Sequence, residues 1–263
     1  MASLKFEKKN INFTDEGTGK AVVLLHGFTE SLKMWSGFTA GLSKKYRVVC
    51  IDLPGHGKSD NLGKVNTMAA MADAVFFVLK NLRIGKCLMV GHSMGGYVTL
   101  AFAAKFPKRL KGLTLFHSHC FPDNSAEKEN RSRTVAIVGQ DKFNYVAQFI
   151  PSLFPIEVHK KFSKQIEQLI QRASKMEKEG LIAALEGMKE RADQSELLKT
   201  LPFPLQFVIG QKDTRAPLSR LGEMISLPAV SETLLLRECG HMGHIENPET
   251  TLSAITTFAK KVL

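Results

Sequence analysis

Ser93 stands in the run Gly91-His92-Ser93-Met94-Gly95, between an apolar stretch at 87–90 and a helical pattern at 97–106. A strand that turns sharply into a helix around a serine pushes the hydroxyl out of the sheet edge. It also sets that hydroxyl at a helix N-terminus, where free backbone N–H groups can stabilise an oxyanion. Such a turn strains the central residue, so its neighbours must be glycine or very small. The chemistry that fits is nucleophilic attack on a carbonyl. A serine hydroxyl is a weak nucleophile at its free pKa and needs a positioned base, which in turn needs an orienting group. Eight histidines are available as the base. Two stand in the late run Gly240-His241-Met242-Gly243-His244, and Asp123 and Asp213 both follow apolar runs.

The elements that must carry these residues are legible as hydrophobic pattern. Short, continuously apolar runs at 21–25, 47–51, 87–90, 112–116, 205–209 and 233–236 suit strands buried on both faces of a parallel sheet. Helical patterns at 31–45, 67–82 and 93–106 alternate with the early runs, which predicts an α/β domain on a mostly parallel sheet. Two β-like stretches at 3–8 and 10–15 precede them, with Lys9-Asn10 as the expected turn. The alternation stops at Cys120. From 120 to 200 the chain shows charged amphipathic stretches at 125–138, 141–150, 156–178 and 180–190, punctuated by Pro151, Pro155 and Gly180. Strand signals resume after Pro202 and Pro204, and a final helix is expected at 248–262 with Pro248 in its first turn. The predicted organisation is a core made of 1–119 and 201–263, with 120–200 as a helical insertion.

Composition narrows the partners. The 263 residues are 44% apolar and 23% charged, ordinary for a globular chain with a sizeable core. Lys and Arg number 36 against 25 acids, a net charge of +11 that raises nucleic acid as a partner. The excess lies in 1–119, with 17 basic and 7 acidic residues, in short groups such as Lys105-Lys108-Arg109-Lys111. No aromatic-interleaved stripe or nucleic-acid motif accompanies it, so a solvated surface is the reading. Four unpaired cysteines, no signal-like h-region and no run of about 18 apolar residues predict a soluble, cytoplasmic protein with no membrane partner.

His26-Gly27, Asp52-Leu53-Pro54-Gly55-His56-Gly57-Lys58-Ser59, and the runs 91–96, 210–213 and 240–248 follow, in order, the signature blocks of the α/β-hydrolase superfamily. Apart from the insertion, nearly the whole chain resembles its small capped members: carboxylesterases, enol-lactonases, carbon–carbon bond hydrolases and cofactor-free haloperoxidases. The resemblance implies an α/β-hydrolase fold, with a mostly parallel eight-stranded sheet flanked by helices and a helical cap inserted after strand 6. It implies the chain order serine, acid, histidine. The acid is expected after the penultimate strand, which favours Asp213, with Asp123 a less well placed alternative. The histidine is expected late in the chain, where His241, directly after Gly240, is favoured over His244, which is expected to support the loop by hydrogen bonding. The oxyanion donors implied are the backbone N–H groups of Phe28, in the loop after the third strand, and Met94. His26 then orders that loop, and His56 is a turn residue.

Ser93 separates the chain from haloalkane dehalogenases and epoxide hydrolases of this fold, which carry Asp at that position. No HxHxDH or HExxH pattern occurs, so neither metal nor cofactor is expected. Candidate substrate contacts are Phe28, His117, His119, Phe143 and Phe149. Tyr145, Leu153 and Phe154 lie in the same aromatic stretch, where helical spacing also fits plain core. Arg131, Arg133 and Arg191 are set between a substrate carboxylate and a solvated face. The expected activity is hydrolysis of a small-molecule carboxylic ester, lactone or thioester through an acyl-enzyme on Ser93, by a monomer or homodimer. The alternatives are carbon–carbon bond hydrolysis or perhydrolysis by the same triad, or a non-catalytic binding module.

Overall fold

The computed structural model describes all 263 residues. Strands β1 (Ala2–Phe6) and β2 (Lys9–Glu16) form an antiparallel hairpin. Its turn residues are Glu7 and Lys8, both at positive φ (48° and 70°), which is the backbone of a two-residue type I′ turn. The turn therefore precedes the expected Lys9-Asn10, because the register pairs Phe6 with Lys9. Then come β3 (Ala21–Leu25), β4 (Arg47–Ile51), β5 (Cys87–His92), β6 (Leu110–Phe116), β7 (Leu205–Gly210) and β8 (Ser231–Leu236). All eight join one sheet in the order β1-β2-β4-β3-β5-β6-β7-β8, parallel from β4 onward.

Both faces of this sheet are covered, which is why its central strands read as unbroken apolar runs. Val23, Leu25, Val49, Ile51 and Met89 face one core. Val22, Leu24, Val48, Cys50, Leu88 and Val90 face the other, around Trp35, Phe116 and Phe258. The two sets interleave with the period of two that a strand imposes. All four cysteines are buried and free.

The expected helix at 31–45 is a 3-10 turn, Leu32–Trp35, followed by α1 (Ser36–Leu42). Helix α2 (Met68–Asn81) starts where the Thr67 side chain accepts the Ala70 N–H, and α3 (Met94–Lys105) starts directly after Ser93. Between β6 and β7 lie α4 (Ser125–Phe149), α5 (Ser163–Ser174), α6 (Lys178–Lys189) and α7 (Ser195–Thr200). Asn124 and Glu127 close a capping box at the start of α4. The two stretches expected at 125–138 and 141–150 are one helix interrupted at Asp141 (φ −144°, ψ 79°). The stretch expected at 156–178 is helical mainly over α5, because Pro155 leads only into a 3-10 turn. Helix α8 (Leu218–Ile225), the single turn α9 (Gly243–Glu246) and α10 (Pro248–Val262) complete the chain. No helix is long and apolar enough to cross a membrane.

The strand order turns back on itself at β3 and β5. The chain leaves β3 toward β4 on one side, then returns to place β5 on the other. Loops leaving the C-terminal ends of two such strands diverge, and the crevice between them is where open α/β sheets bind ligands. Phe28 follows β3 and Ser93 follows β5, so both lie at that crevice.

Candidate active site

Ser93 links β5 to α3 at φ 51° and ψ −116°, a conformation that strains any residue with a Cβ. The flanking glycines are required by close backbone approach. A Cβ on Gly91 would lie 2.3 Å from Gly95 O, and one on Gly95 would lie 2.6 Å from the carbonyl oxygens of both Leu25 and His26. The elbow thus packs against β3, next to the loop that carries Phe28. Phe28 N–H has no acceptor in the protein. Met94, first residue of α3, has none within its helix. Two unsatisfied donors therefore flank the serine. His26 orders the same loop, with Nδ1 on Gly27 O at 2.7 Å and Nε2 accepting the Leu53 N–H at 2.8 Å.

Asp213 and His241 come together from the loops after β7 and β8. His241 Nδ1 donates to Asp213 Oδ2 at 2.8 Å. The other carboxylate oxygen accepts the backbone N–H groups of Arg215 (2.8 Å) and Ala216 (3.1 Å). Burial alone would push Asp213 upward, but the histidines bonded to it hold its carboxyl well below the usual range. It is therefore an aspartate at neutral pH. The His241 N–H donates to Leu153 O at 2.9 Å, tying this loop to the inserted segment. Ser93 and His241 share the wall of one cavity of about 590 Å³, and Ser93 Oγ forms no hydrogen bond to His241 in this conformation. The set holds a hydroxyl, an oriented imidazole, a buried carboxylate and two free N–H groups, which are the parts of a serine acyl-transfer site.

The other expected residues divide. Phe28, His119 and Phe149 line the cavity, with Tyr97 and Tyr145 beside them. Phe149 meets Phe28 edge-on (centroids 5.8 Å) and stacks on Tyr145 (5.3 Å). Phe143 departs from expectation: it is 64% exposed and off the cavity. Tyr145 and Phe149 share a helix face at i, i+4 spacing, and residue 143 is rotated to the opposite side. Leu153 and Phe154 belong to the core of the inserted helices, with Phe162, Ile166 and Met242.

His117 also departs from expectation. Its side chain is fully buried and does not touch the cavity; Nδ1 lies 3.1 Å from Asp213 Oδ2. Burial lowers it to about 4, so it is neutral and donates. His117, Asp213 and His241 thus form a compact His₂Asp cluster that sequence spacing did not reveal. The ring nitrogens nearest the centre are both engaged with the carboxylate, so the cluster is closed as a hydrogen-bond set. His244, expected to bond within its loop, is buried with neither ring nitrogen hydrogen-bonded.

Asp123 forms no hydrogen bond to His241. It takes Arg131 in a two-point pair and Arg191 Nη1 at 2.6 Å. All three line the cavity, as does Arg215, whose guanidinium lies over the Phe149 ring. Arg133 instead pairs with Glu129 on the exposed face of α4. Tyr97 and Arg215 escaped the sequence reading; neither belongs to a motif, and only the fold brings them to the serine.

The profile of the alpha/beta hydrolase fold family matches residues 20–248. A thermophilic esterase from Thermogutta terrifontis, solved with malate bound, superposes with a TM-score of 0.92 at 35% identity, over 97% of this chain and 94% of that one. The pimeloyl-[acyl-carrier protein] methyl ester esterase of Aeromonas hydrophila is 27% identical over 92% of this chain and 96% of its own. The chain is also 28% identical to the dihydrolipoyllysine-residue acetyltransferase component of an acetoin cleaving system from Pseudomonas putida, covering 92% of itself but only 64% of that protein.

Proposed function

Because this chain belongs to the alpha/beta hydrolase fold family and is a hydrolase, we propose that it cleaves a small-molecule carboxylic ester through an acyl-enzyme on Ser93. The observation that carries the reading is the bond from His241 Nδ1 to the buried Asp213 carboxylate, with His241 and Ser93 on one cavity wall.

In this mechanism His241 Nε2 takes the Ser93 proton as Oγ attacks the ester carbonyl carbon. Asp213 keeps His241 in the tautomer with its proton on Nδ1 and stabilises the imidazolium that forms. The Phe28 and Met94 N–H groups receive the oxyanion. The C–O bond to the alcohol breaks, and His241 returns its proton to the leaving alkoxide. His241 then deprotonates a water, whose hydroxide attacks the acyl carbon; the bond from that carbon to Oγ breaks, and His241 returns the proton to Oγ, regenerating Ser93.

The helices of 120–200 act as a cap over this site, and the cap chooses the substrate. Three arginines face the cavity against two carboxylates, and one of these, Glu127, already takes Arg220. A substrate whose far end is a carboxylate fits that imbalance. The Thermogutta terrifontis esterase was solved with malate bound, which accords with it.

A fluorophosphonate probe tests the nucleophile. Wild type is expected to label and lose activity, and Ser93→Ala is expected to take no label and to show no activity. An active Ser93→Ala variant would refute the mechanism.

A further inference from the structure

Behind the serine, Glu30 and His92 are buried together, each with 2% of its side chain exposed. His92 Nδ1 lies 2.7 Å from Glu30 Oε2, and Nε2 lies 3.0 Å from the backbone carbonyl oxygen of His241. A carbonyl oxygen only accepts, so Nε2 carries a proton. Glu30 Oε2 also accepts the Gly27 N–H at 2.9 Å, and two donors converging on one carboxylate oxygen stabilise its charge. Both ring nitrogens of His92 therefore face acceptors, which a neutral imidazole cannot satisfy at once. A Cβ on Gly27 would sit 2.6 Å from Glu30 Oε2 and 2.7 Å from His92 Nδ1, so only glycine lets the three groups meet.

We propose that His92 is an imidazolium and that its pair with Glu30 positions two parts of the site at once. Through Gly27 it holds the loop bearing the Phe28 N–H, and through the His241 carbonyl it holds the catalytic histidine's loop. His92 also precedes Ser93 directly, so one buried ion pair joins the three segments that must stay within fractions of an ångström of each other. The proposal rests on the Ser93–His241–Asp213 reading above.

The surroundings favour charge on this pair. Burial pushes His92 down, and the Glu30 carboxylate with its hydrogen bond outweighs that to raise it above its ordinary value. Burial likewise pushes Glu30 up, and His92, joined by His244 (Nε2 3.6 Å from Oε1) and His26, outweighs it to bring the carboxyl to about 2. The other groups facing His92 are the ring of His241 (5.0 Å between centroids), His244 on α9 (5.4 Å), and Phe116 (5.8 Å) and His117 (6.1 Å) at the end of β6. His117 and His244 are lowered by burial to about 4 and about 3, so both are neutral, and Asp213 adds negative charge from farther away. Glu30 is the only counter-charge in contact.

Raising the pH removes one His92 proton. The remaining proton stays on Nδ1, toward the carboxylate, and Nε2 then turns a lone pair to the His241 carbonyl. The catalytic loop is released, so kcat falls while KM, set by the cavity, holds. Glu30→Gln removes the counter-charge and brings this loss to lower pH.

Two measurements test the pair. Imidazole ¹⁵N NMR of wild type, with His92 assigned by its absence in His92→Gln, should show both ring nitrogens protonated at neutral pH. The kcat–pH profile of Glu30→Gln on an uncharged ester should have its alkaline limb moved down by about one pH unit or more. A neutral His92 ring in wild type overturns the proposal, as does an alkaline limb in Glu30→Gln that stays where wild type has it. The ring protonation is read without turnover, so it is decided separately from whether Ser93 is the nucleophile, which probe labelling reports.

Discussion

His117 and His241 donate to the same oxygen of Asp213, at 3.1 and 2.8 Å. One histidine opens onto the cavity and the other is sealed beneath it. His117 thus fixes the carboxylate that fixes His241. It does so from φ 49°, a backbone region that asparagine tolerates better than most residues. His117→Ala removes one hydrogen bond to an ionised carboxylate, worth about 1.5–3 kcal/mol, so kcat should fall roughly 10- to 100-fold. His117→Asn, which keeps a donor near Nδ1, should recover most of the loss. Asp213→Asn should cost about 10⁴-fold in kcat. If His117→Ala is as inactive as Asp213→Asn, His117 has a role in the chemistry itself.

Arg131 and Arg191 share one carboxylate, Asp123, so removing Arg131 still leaves Asp123 paired. Arg131→Gln is therefore expected to leave kcat/KM for uncharged short-chain esters within about 2-fold. For half-esters of dicarboxylic acids it should fall roughly 10- to 100-fold, the worth of a charged hydrogen bond at about 1.5–3 kcal/mol. Equal losses on both substrate sets would remove the case for an anionic substrate end.

Phe149 is held between Phe28 and Tyr145, with the Arg215 guanidinium 5.0 Å from its ring centroid. Phe149→Ala is expected to shift the preferred acyl chain to longer members of a p-nitrophenyl ester series. Phe143→Ala, on the exposed side of the same helix, should leave the series unchanged and stability within about 0.5 kcal/mol. A shift in the Phe143 variant would place the substrate on a surface other than this cavity.

Stability should fall early in acid. Burial lowers His117 to about 4, and His56, His119 and His244 to about 3. Below the ordinary histidine value of 6.5 the unfolded chain takes up protons that the folded chain refuses, so stability declines as pH falls from there toward the folded values. Each unit of depression corresponds to about 1.4 kcal/mol per group. Glu30, at about 2 in the fold, adds a second loss as pH drops below its ordinary value of 4.5. Calorimetric Tm should therefore decrease steadily from pH 6.5 to pH 4. A flat Tm over that range would mean the buried histidines are solvated.

Much of the sheet was readable because its central strands are covered on both faces. The runs at 21–25 and 47–51 coincide with β3 and β4 to the residue. The elbow was readable for a different reason: two glycines around one serine record a local steric demand, and that demand lies within five residues. The pattern reading failed where faces or distant partners decide. The kink at Asp141 sets which side of α4 turns inward, and this sends Tyr145 and Phe149 to the cavity and Phe143 to solvent.

Glu30 and His92 are 62 residues apart, and His117 and Asp213 are 96 apart. Nothing in the local pattern around any of them marks the partner. The amino-acid sequence by itself determined the alternation of strand and helix, the strained serine and the buried apolar runs, because these follow from the backbone preferences and hydropathy of neighbouring residues. Tertiary structure alone decided which of eight histidines are donors, charged or sealed, because an imidazole's proton is set by what packs against both of its nitrogens.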